Sequence, residues 1–392
     1  MSTKGCGAVT PVSDAGNLIM RTMVRNALFG LLAASLAVPA ADLKEELQTN
    51  FDQACQSQKF MGVISLTVND KIVFSAACGL ADAEWSVKNT TDTRFSVASI
   101  TKEFTAAAVL LLYEEKKFSL IDPIGKYVPD LPESWQSATI HQLLTHTSGV
   151  PIYTASSDYK HENPDLKRLS LLGDVPDELL SLVRDRPLMY PHGAKFAYNN
   201  SGYVLLGMLI ERVSGIPYPR FIRERIFDRL GMHDSGYDDG RKIVPRKAKG
   251  YAISGKELQS AAFFDPRLAW SAGALYSTVR DLTLWSEALA QGTLLSADSM
   301  DRMFRVYPKA VSQDPYQVTA NYGYGVVLTE RFGHKLQYHG GGFSGFNSVL
   351  QRYPDVNMVI AALSNLDSDS DVLPSWTLGD GLAKLWFAAQ PK

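Results

Sequence analysis

Ser99 and Lys102 stand three residues apart at the head of an apolar run, Phe104 to Tyr113, that has the composition of a buried helix. Positions three apart on a helix share a face, so the Lys102 amine can sit beside the Ser99 hydroxyl and supply the basicity that a serine nucleophile lacks. An ordinary lysine, with a pKa of about 10.4, is neutral only roughly one part in 2,500 at pH 7, so the site must strip water from the amine or set another cation beside it. The Ser-x-x-Lys spacing is short enough to recur by chance, and Ser157-Asp158-Tyr159-Lys160 also matches. That second copy lies in a polar stretch between Pro151 and Pro164, with no apolar helix behind it, and reads as coincidence. Taken alone, Ser99 could equally cap a helix, with Lys102 in solvent.

Two further clusters converge on the same chemistry. Tyr198-Asn199-Asn200 precedes a helical pattern starting near Ser201, a place from which a rigid element presents a phenol and an amide to a cleft. A tyrosine held near a lysine can accept or relay a proton, although Asn200 by itself could simply cap the helix. Tyr338-His339-Gly340-Gly341-Gly342 ends a predicted strand, where glycines allow a substrate backbone to approach and free amides to point at a developing oxyanion. One such donor contributes about 2.7 to 4 kcal/mol to transition-state binding. His-Gly-Gly-Gly is also the oxyanion loop of α/β-hydrolase esterases, but that loop must precede a Gly-x-Ser-x-Gly elbow on a parallel sheet. No such elbow follows His339, and the strands there read as antiparallel.

The elements that would carry these residues are legible as patterns. Met61 to Val68 and Ile72 to Cys78 form a predicted hairpin around Asn69-Asp70. Four short runs follow one another near the other end, Tyr324 to Glu330, Lys335 to His339, Ser348 to Tyr353 and Met358 to Ser364, at meander spacing that predicts antiparallel pairing. Helical patterns run from Asp42 to Gln58, from Tyr203 to Val213 before Gly215, from Phe221 to Leu230 before Gly231, and from Asp281 to Ala290 near Gly292. Leu378 to Ala389 closes as an amphipathic helix. The fold class is α+β: one antiparallel sheet built from both chain ends and flanked by helices, plus a mostly helical subdomain.

Composition narrows the partners. The 392 residues are 45% hydrophobic and 20% charged, which fits a globular protein with a substantial core. With 39 Lys plus Arg against 41 Asp plus Glu and no long basic block, nucleic acid is not an expected partner. The densest positive stretch, Arg241 to Lys249, contains Pro245 and reads as a solvated loop. Arg21 and Arg25, an uncharged run from Asn26 and the small residues up to Ala41 have the order of a secretory signal peptide, so residues 1–40 are expected to be an upstream extension and signal, and the rest periplasmic or secreted. Without residues 1–40 the charge falls from −2 to −4 (36 positive, 40 negative), and no remaining segment predicts a membrane span. Cys55 and Cys78 can pair in an oxidising compartment, but two buried free thiols are the expectation.

Taken together and in order, Ser99-x-x-Lys102, Tyr198-x-Asn200 and His339-x-Gly341 resemble the active site of the serine β-lactamase and penicillin-binding-protein superfamily, nearest its class C branch with the related esterases and D-aminopeptidases. Leu143-Leu144-Thr145-His146-Thr147-Ser148-Gly149 and Ala272-Gly273-Ala274-Leu275-Tyr276-Ser277-Thr278 support the likeness, which spans about Asp42 to Phe387. The resemblance implies one domain over 41–392, with the sheet from about 42–135 and 260–392 and the helical insertion at about 136–259. It also implies Ser99 as the acylated nucleophile, Lys102 and Tyr198 as proton carriers, Asn200 holding the substrate amide and Lys102, and the amides of Ser99 and Gly342 as the oxyanion hole. Neither metal nor organic cofactor is implied, the partner is a small ester, amide or peptide, and no oligomeric state follows. Where β-lactamases of this type carry Lys-Thr-Gly, this chain has His339-Gly340-Gly341. A histidine of pKa about 6.5 is mostly neutral at pH 7, so weaker preference for substrates with a free carboxylate is expected.

Overall fold

The computed structural model describes residues 40–155, 175–307, 310–313, 319–367 and 374–390, all within one compact unit spanning Val38–Gln390. The signal-like segment and the second Ser-x-x-Lys at Ser157 lie outside the described residues. A helix, α1 (Ala40–Gln56), opens the chain and leads to the hairpin β1 (Gly62–Val68) and β2 (Lys71–Cys78). Asn69 and Asp70 both take positive φ, 48° and 61°, the turn whose twist suits a two-residue hairpin loop. The remaining strands of the main sheet come from the far end: β3 (Val311–Gln313), β4 (Thr319–Tyr322), β5 (Val327–Arg331), β6 (His334–Phe343), β7 (Phe346–Tyr353) and β8 (Met358–Ser364). All pair antiparallel in the order β3-β4-β5-β6-β7-β8-β1-β2, so both chain ends meet where β8 lies against β1, with Gly62 opposite Ser364.

Strands β7 and β8 are buried along their whole length because helices cover both faces of the sheet. On one face Leu47 and Phe51 of α1 pack with Trp376, Leu378 and Leu382 from the closing helix Pro374–Ala388. On the other face lie the helix Val279–Ala290 and the core around α2 (Thr101–Glu114), in which every residue from Thr101 to Leu112 is buried. A helix apolar on all sides belongs inside a protein, and α2 is enclosed by α3 (Asn200–Ser214) and the short Trp270–Gly273 turn as well as by the sheet. Glu103 fastens it: its Oε2 accepts from the Trp285 indole N–H (2.8 Å) and from both terminal nitrogens of Arg352 on β7 (2.9 and 2.6 Å).

Short pairings escape the sequence patterns. Phe95–Ser96, Leu275–Ser277 and Gly236–Tyr237 form a three-stranded sheet beside the start of α2, and Tyr251–Ser254 pairs with Glu257–Ser260. The stretch from 136 to 259 carries the helices Val175–Ser181, α3 and Tyr218–Ile222 but also the strands Gly236–Tyr237 and Tyr251–Ser254 and long non-helical connections, and a π-turn at Arg223–Phe227 interrupts the run from Tyr218 to Leu230. The basic loop is tied down by acidic partners, Arg246 to Asp234, Lys247 to Asp238 and Lys249 to Asp82. No helix among the described residues is long and apolar enough to cross a membrane.

The cysteines correct the expectation of free thiols. Cys55, at the end of α1, and Cys78, at the end of β2, form a disulfide, because the α1–β1 connection returns the two chain segments to within 6.3 Å at Cα. The bridge closes a 23-residue separation. Replacing both cysteines by serine is expected to lower the unfolding free energy by about 2–4 kcal/mol, read from denaturant midpoints of oxidised and variant protein. An unchanged midpoint would show that burial of Leu47 and Phe51 alone holds α1.

Candidate active site

Ser99 sits in a short 3₁₀ turn, Ala98–Ile100, that runs directly into α2. The turn places Ala98 at φ 45°, a left-handed conformation that costs an L-residue about 1–3 kcal/mol unless neighbours fix it. Three bonds do so: the Val97 N–H donates to the Leu275 carbonyl (2.9 Å), the Ser348 hydroxyl donates to the Val97 carbonyl (2.8 Å), and the Leu275 N–H donates to Thr101 Oγ1 (3.2 Å). Ser99 is left partly exposed while Lys102, one turn on, is wholly buried.

Lys102 Nζ lies 3.1 Å from Ser99 Oγ and 2.8 Å from the Ala272 carbonyl oxygen, with the rings of Tyr198 and Tyr203 at 4.7 and 5.6 Å. Burial pushes the amine's pKa well below the ordinary lysine value, which is what a lysine serving as a base would require. In the neutral form one N–H still donates to Ala272, and the lone pair can accept the Ser99 proton. Tyr198 stands immediately before the N-cap of α3, with its ring 4.7 Å from Lys102 Nζ and its hydroxyl beside the Ser99 side chain. Burial around that hydroxyl raises the phenol's pKa, and the neighbouring Ser99 offsets part of the rise. The residue as a whole is 37% exposed, so the site opens to solvent past the ring.

Strand β6 forms the opposite wall. Strand β5 pairs with it only as far as Tyr338, so beyond His339 one edge of β6 faces Ser99 rather than another strand. A Cβ on Gly341 would fall 2.3 Å from the Val97 carbonyl and 2.8 Å from the Ser99 nitrogen, so only glycine permits this approach. Gly342 is exposed and Phe343, next along, stacks on Phe264 with ring centroids 4.8 Å apart. His339 is buried, with Nδ1 2.6 Å from the Gly340 carbonyl and Nε2 3.0 Å from the Tyr322 hydroxyl. A carbonyl only accepts, so Nδ1 carries the proton and Nε2 accepts from Tyr322. Burial holds its pKa down at about 3.

The structure thus brings Ser99, Lys102, Tyr198, His339 and Gly341 together, with Gly342 on the same edge. Asn200 differs from expectation. Asn199 takes the cap, accepting from the Gly202 N–H, so Asn200 becomes the first helical residue and its amide donates to Thr154 Oγ1 (3.1 Å) rather than to any partner of Lys102. Sequence reasoning missed the Ala272 carbonyl, Tyr203 and Tyr322, and gave no role to His146, although Ala272 and His146 both lie in phrases that marked the resemblance.

Comparisons with known proteins find relatives over most of the chain. The family model described as Beta-lactamase matches residues 47–382. Penicillin-binding protein 4* of Bacillus subtilis (strain 168) is 26% identical over 344 residues, covering 84% of this chain and 73% of that protein. The teichoic acid D-alanine hydrolase of Staphylococcus aureus is 26% identical over 332 residues, 84% of this chain and 76% of that one. The D-amino acid amidase of Ochrobactrum anthropi SV3 superposes with a TM-score of 0.76 at 25% identity, covering 88% of this chain and 99% of that one.

The contact between β6 and the Ser99 turn makes a direct test. Gly341→Ala must displace the strand or the turn, and a displacement near 1 Å is expected to lower kcat/KM by about 100-fold in a protein that still folds. Activity within a few-fold of native would show that the strand edge does not set the geometry at Ser99.

Proposed function

The chain belongs to the beta-lactamase family of serine hydrolases, and from that premise we propose that it cleaves carboxylic esters or D-amino-acid amides through an acyl-enzyme on Ser99. The observation that carries this reading is the Ser99 hydroxyl bonded to a fully buried lysine amine that itself lies 4.7 Å from the Tyr198 ring. Burial lowers the amine's pKa and raises the phenol's, which favours neutral amine with neutral phenol over an ammonium–phenolate pair. Lys102 is therefore the standing base, and Tyr198 relays the proton. Ser99 Oγ attacks the substrate carbonyl as its proton passes to Lys102, while the Ser99 and Gly342 amides receive the oxyanion. Collapse breaks the bond to the leaving alcohol or amine, which takes the proton through Tyr198. Water then adds to the acyl-enzyme by the same relay in reverse and frees the acid.

The third motif favours esters and amides over β-lactams. His339 remains neutral with both ring nitrogens engaged, so it offers no fixed cation to a substrate carboxylate. The direction of the substrate follows from the open edge of β6. Tyr198, which protonates the leaving group, lies with its ring 6.1 Å from that of His339 at one end, and the Phe343–Phe264 stack stands at the other. The acyl part then extends toward the aromatic pair, which suits an apolar acyl side chain. Export to the periplasm or beyond belongs to the same proposal, supported by the signal-like amino terminus and by a disulfide of the kind that persists in oxidising compartments.

Turnover of an aryl ester, a D-phenylalanine amide, a D-alanine amide and a chromogenic cephalosporin by the purified protein tests these statements together. The ester and the D-phenylalanine amide are expected to exceed the cephalosporin, and Ser99→Ala to lower every rate by roughly 10⁴-fold or more. Phe343→Ala is expected to erase the advantage of the phenylalanine over the alanine amide. Full activity in Ser99→Ala, or a cephalosporin as the best substrate, would overturn the reading.

A further inference from the structure

His146 takes no part in the chemistry above, yet it is bonded to the chain on both sides of Tyr198. Its carbonyl accepts from the Ala197 N–H (3.0 Å), and its ring Nδ1 accepts from the Asn199 N–H (3.0 Å). Those are the two backbone amides that flank the phenol. The imidazole also lies against the Tyr198 ring, with centroids 4.5 Å apart, and against Tyr203 and Tyr322 at 5.0 and 4.6 Å. It is fully buried, and its backbone is held at φ 58°, in the left-handed region that few residues other than glycine adopt.

We propose that His146 is the positioning residue for Tyr198: it fixes the phenol over Ser99 by accepting the Asn199 amide at Nδ1 while its carbonyl takes the Ala197 amide. This rests on the reading of Tyr198 as the proton relay. The geometry specifies the tautomer. An amide donor facing Nδ1 requires that nitrogen to be bare, so Nε2 carries the proton, and Nε2 is buried without a hydrogen-bond partner. A buried donor left unsatisfied is a cost that a purely space-filling residue would not carry, since leucine or phenylalanine would fill the same volume without it. What histidine adds at this position is an acceptor one side-chain length from the backbone, aimed at the residue after Tyr198. Helix α3 benefits as well: the Asn199 side chain is thereby free to cap it by accepting from Gly202 (3.0 Å) and to donate to the Val150 carbonyl (2.6 Å).

Asparagine is the informative replacement, because its Oδ1 can stand where Nδ1 stands and it tolerates positive φ. Leucine has a similar shape and no acceptor. With an ester substrate, His146→Leu is expected to lower kcat by roughly 30- to 100-fold with KM changed by less than about threefold, and His146→Asn to recover most of that loss. In a Tyr198→Phe background the His146→Leu change is expected to add less than about threefold, since the group being positioned is gone. A leucine variant as active as native, an asparagine variant no better than leucine, or a full additional loss in the Tyr198→Phe background would each overturn the proposal. A Tyr198→Phe protein that keeps native activity would instead overturn the role given to Tyr198. Nitrogen NMR of the native protein supplies a readout that does not depend on how the variants fold: the proposal requires the Nε2–H tautomer with a hydrogen-bonded bare Nδ1, and an Nδ1–H tautomer contradicts it.

Discussion

An amine removed from water beside a hydroxyl is the constraint that the rest of this structure answers to. A lysine in solution holds its proton too tightly to serve as a base near neutrality, and burying it destabilises the charged form. Burial is achieved by placing Lys102 in the first turn of a helix enclosed on all sides, so that the α2 core, the Trp270–Gly273 turn and the aromatic rings of Tyr198 and Tyr203 exclude solvent together. The helix must then be held against the sheet, and Glu103, adjacent to the lysine, does so through Arg352 on β7 and Trp285. Losing Arg352 would leave a buried carboxylate without its countercharge, which is far costlier than losing an exposed ion pair. The packing of the core and the chemistry at Ser99 are in this sense one problem.

The turn that carries Ser99 shows the same economy of position. Ala98 is strained, and the strain is maintained by bonds to Leu275, Thr101 and Ser348, three residues from three different elements. Gly341 must lack a side chain because Ser99 and β6 approach each other at backbone distance. His339 faces inward and is held neutral by burial, so the edge that would carry a cation in a lysine-bearing relative presents backbone and apolar surface instead.

Much of this was legible in the sequence, and what was not has identifiable reasons. The Ser99–Lys102 spacing opens a helix because Phe104 to Tyr113 is apolar enough to be enclosed, and the β1–β2 hairpin and the β5 to β8 meander follow from β-rich runs, their spacing and the turn residues between them. Glycine C-caps at Gly215 and Gly231 stand where the patterns stop. Which of Asn199 and Asn200 caps the helix is not legible in the sequence, since either asparagine can cap and only the backbone angle at 199 decides. The disulfide was missed because spacing along the chain says nothing about which segments return to one another. Two-residue strands such as Phe95–Ser96 carry no periodicity to read, and His146 acts through backbone groups about fifty residues away, which no local pattern encodes.

The most direct test of the central claim is the titration of Lys102 itself, followed by NMR of its side-chain nitrogen or Cε in the folded protein and assigned by the signal's loss in Lys102→Arg. The account requires a midpoint well below the ordinary lysine value of about 10.4, because the charged amine has given up its water. A midpoint at or above that value would mean that the amine stays charged where the enzyme works, and that Ser99 draws its basicity from somewhere else.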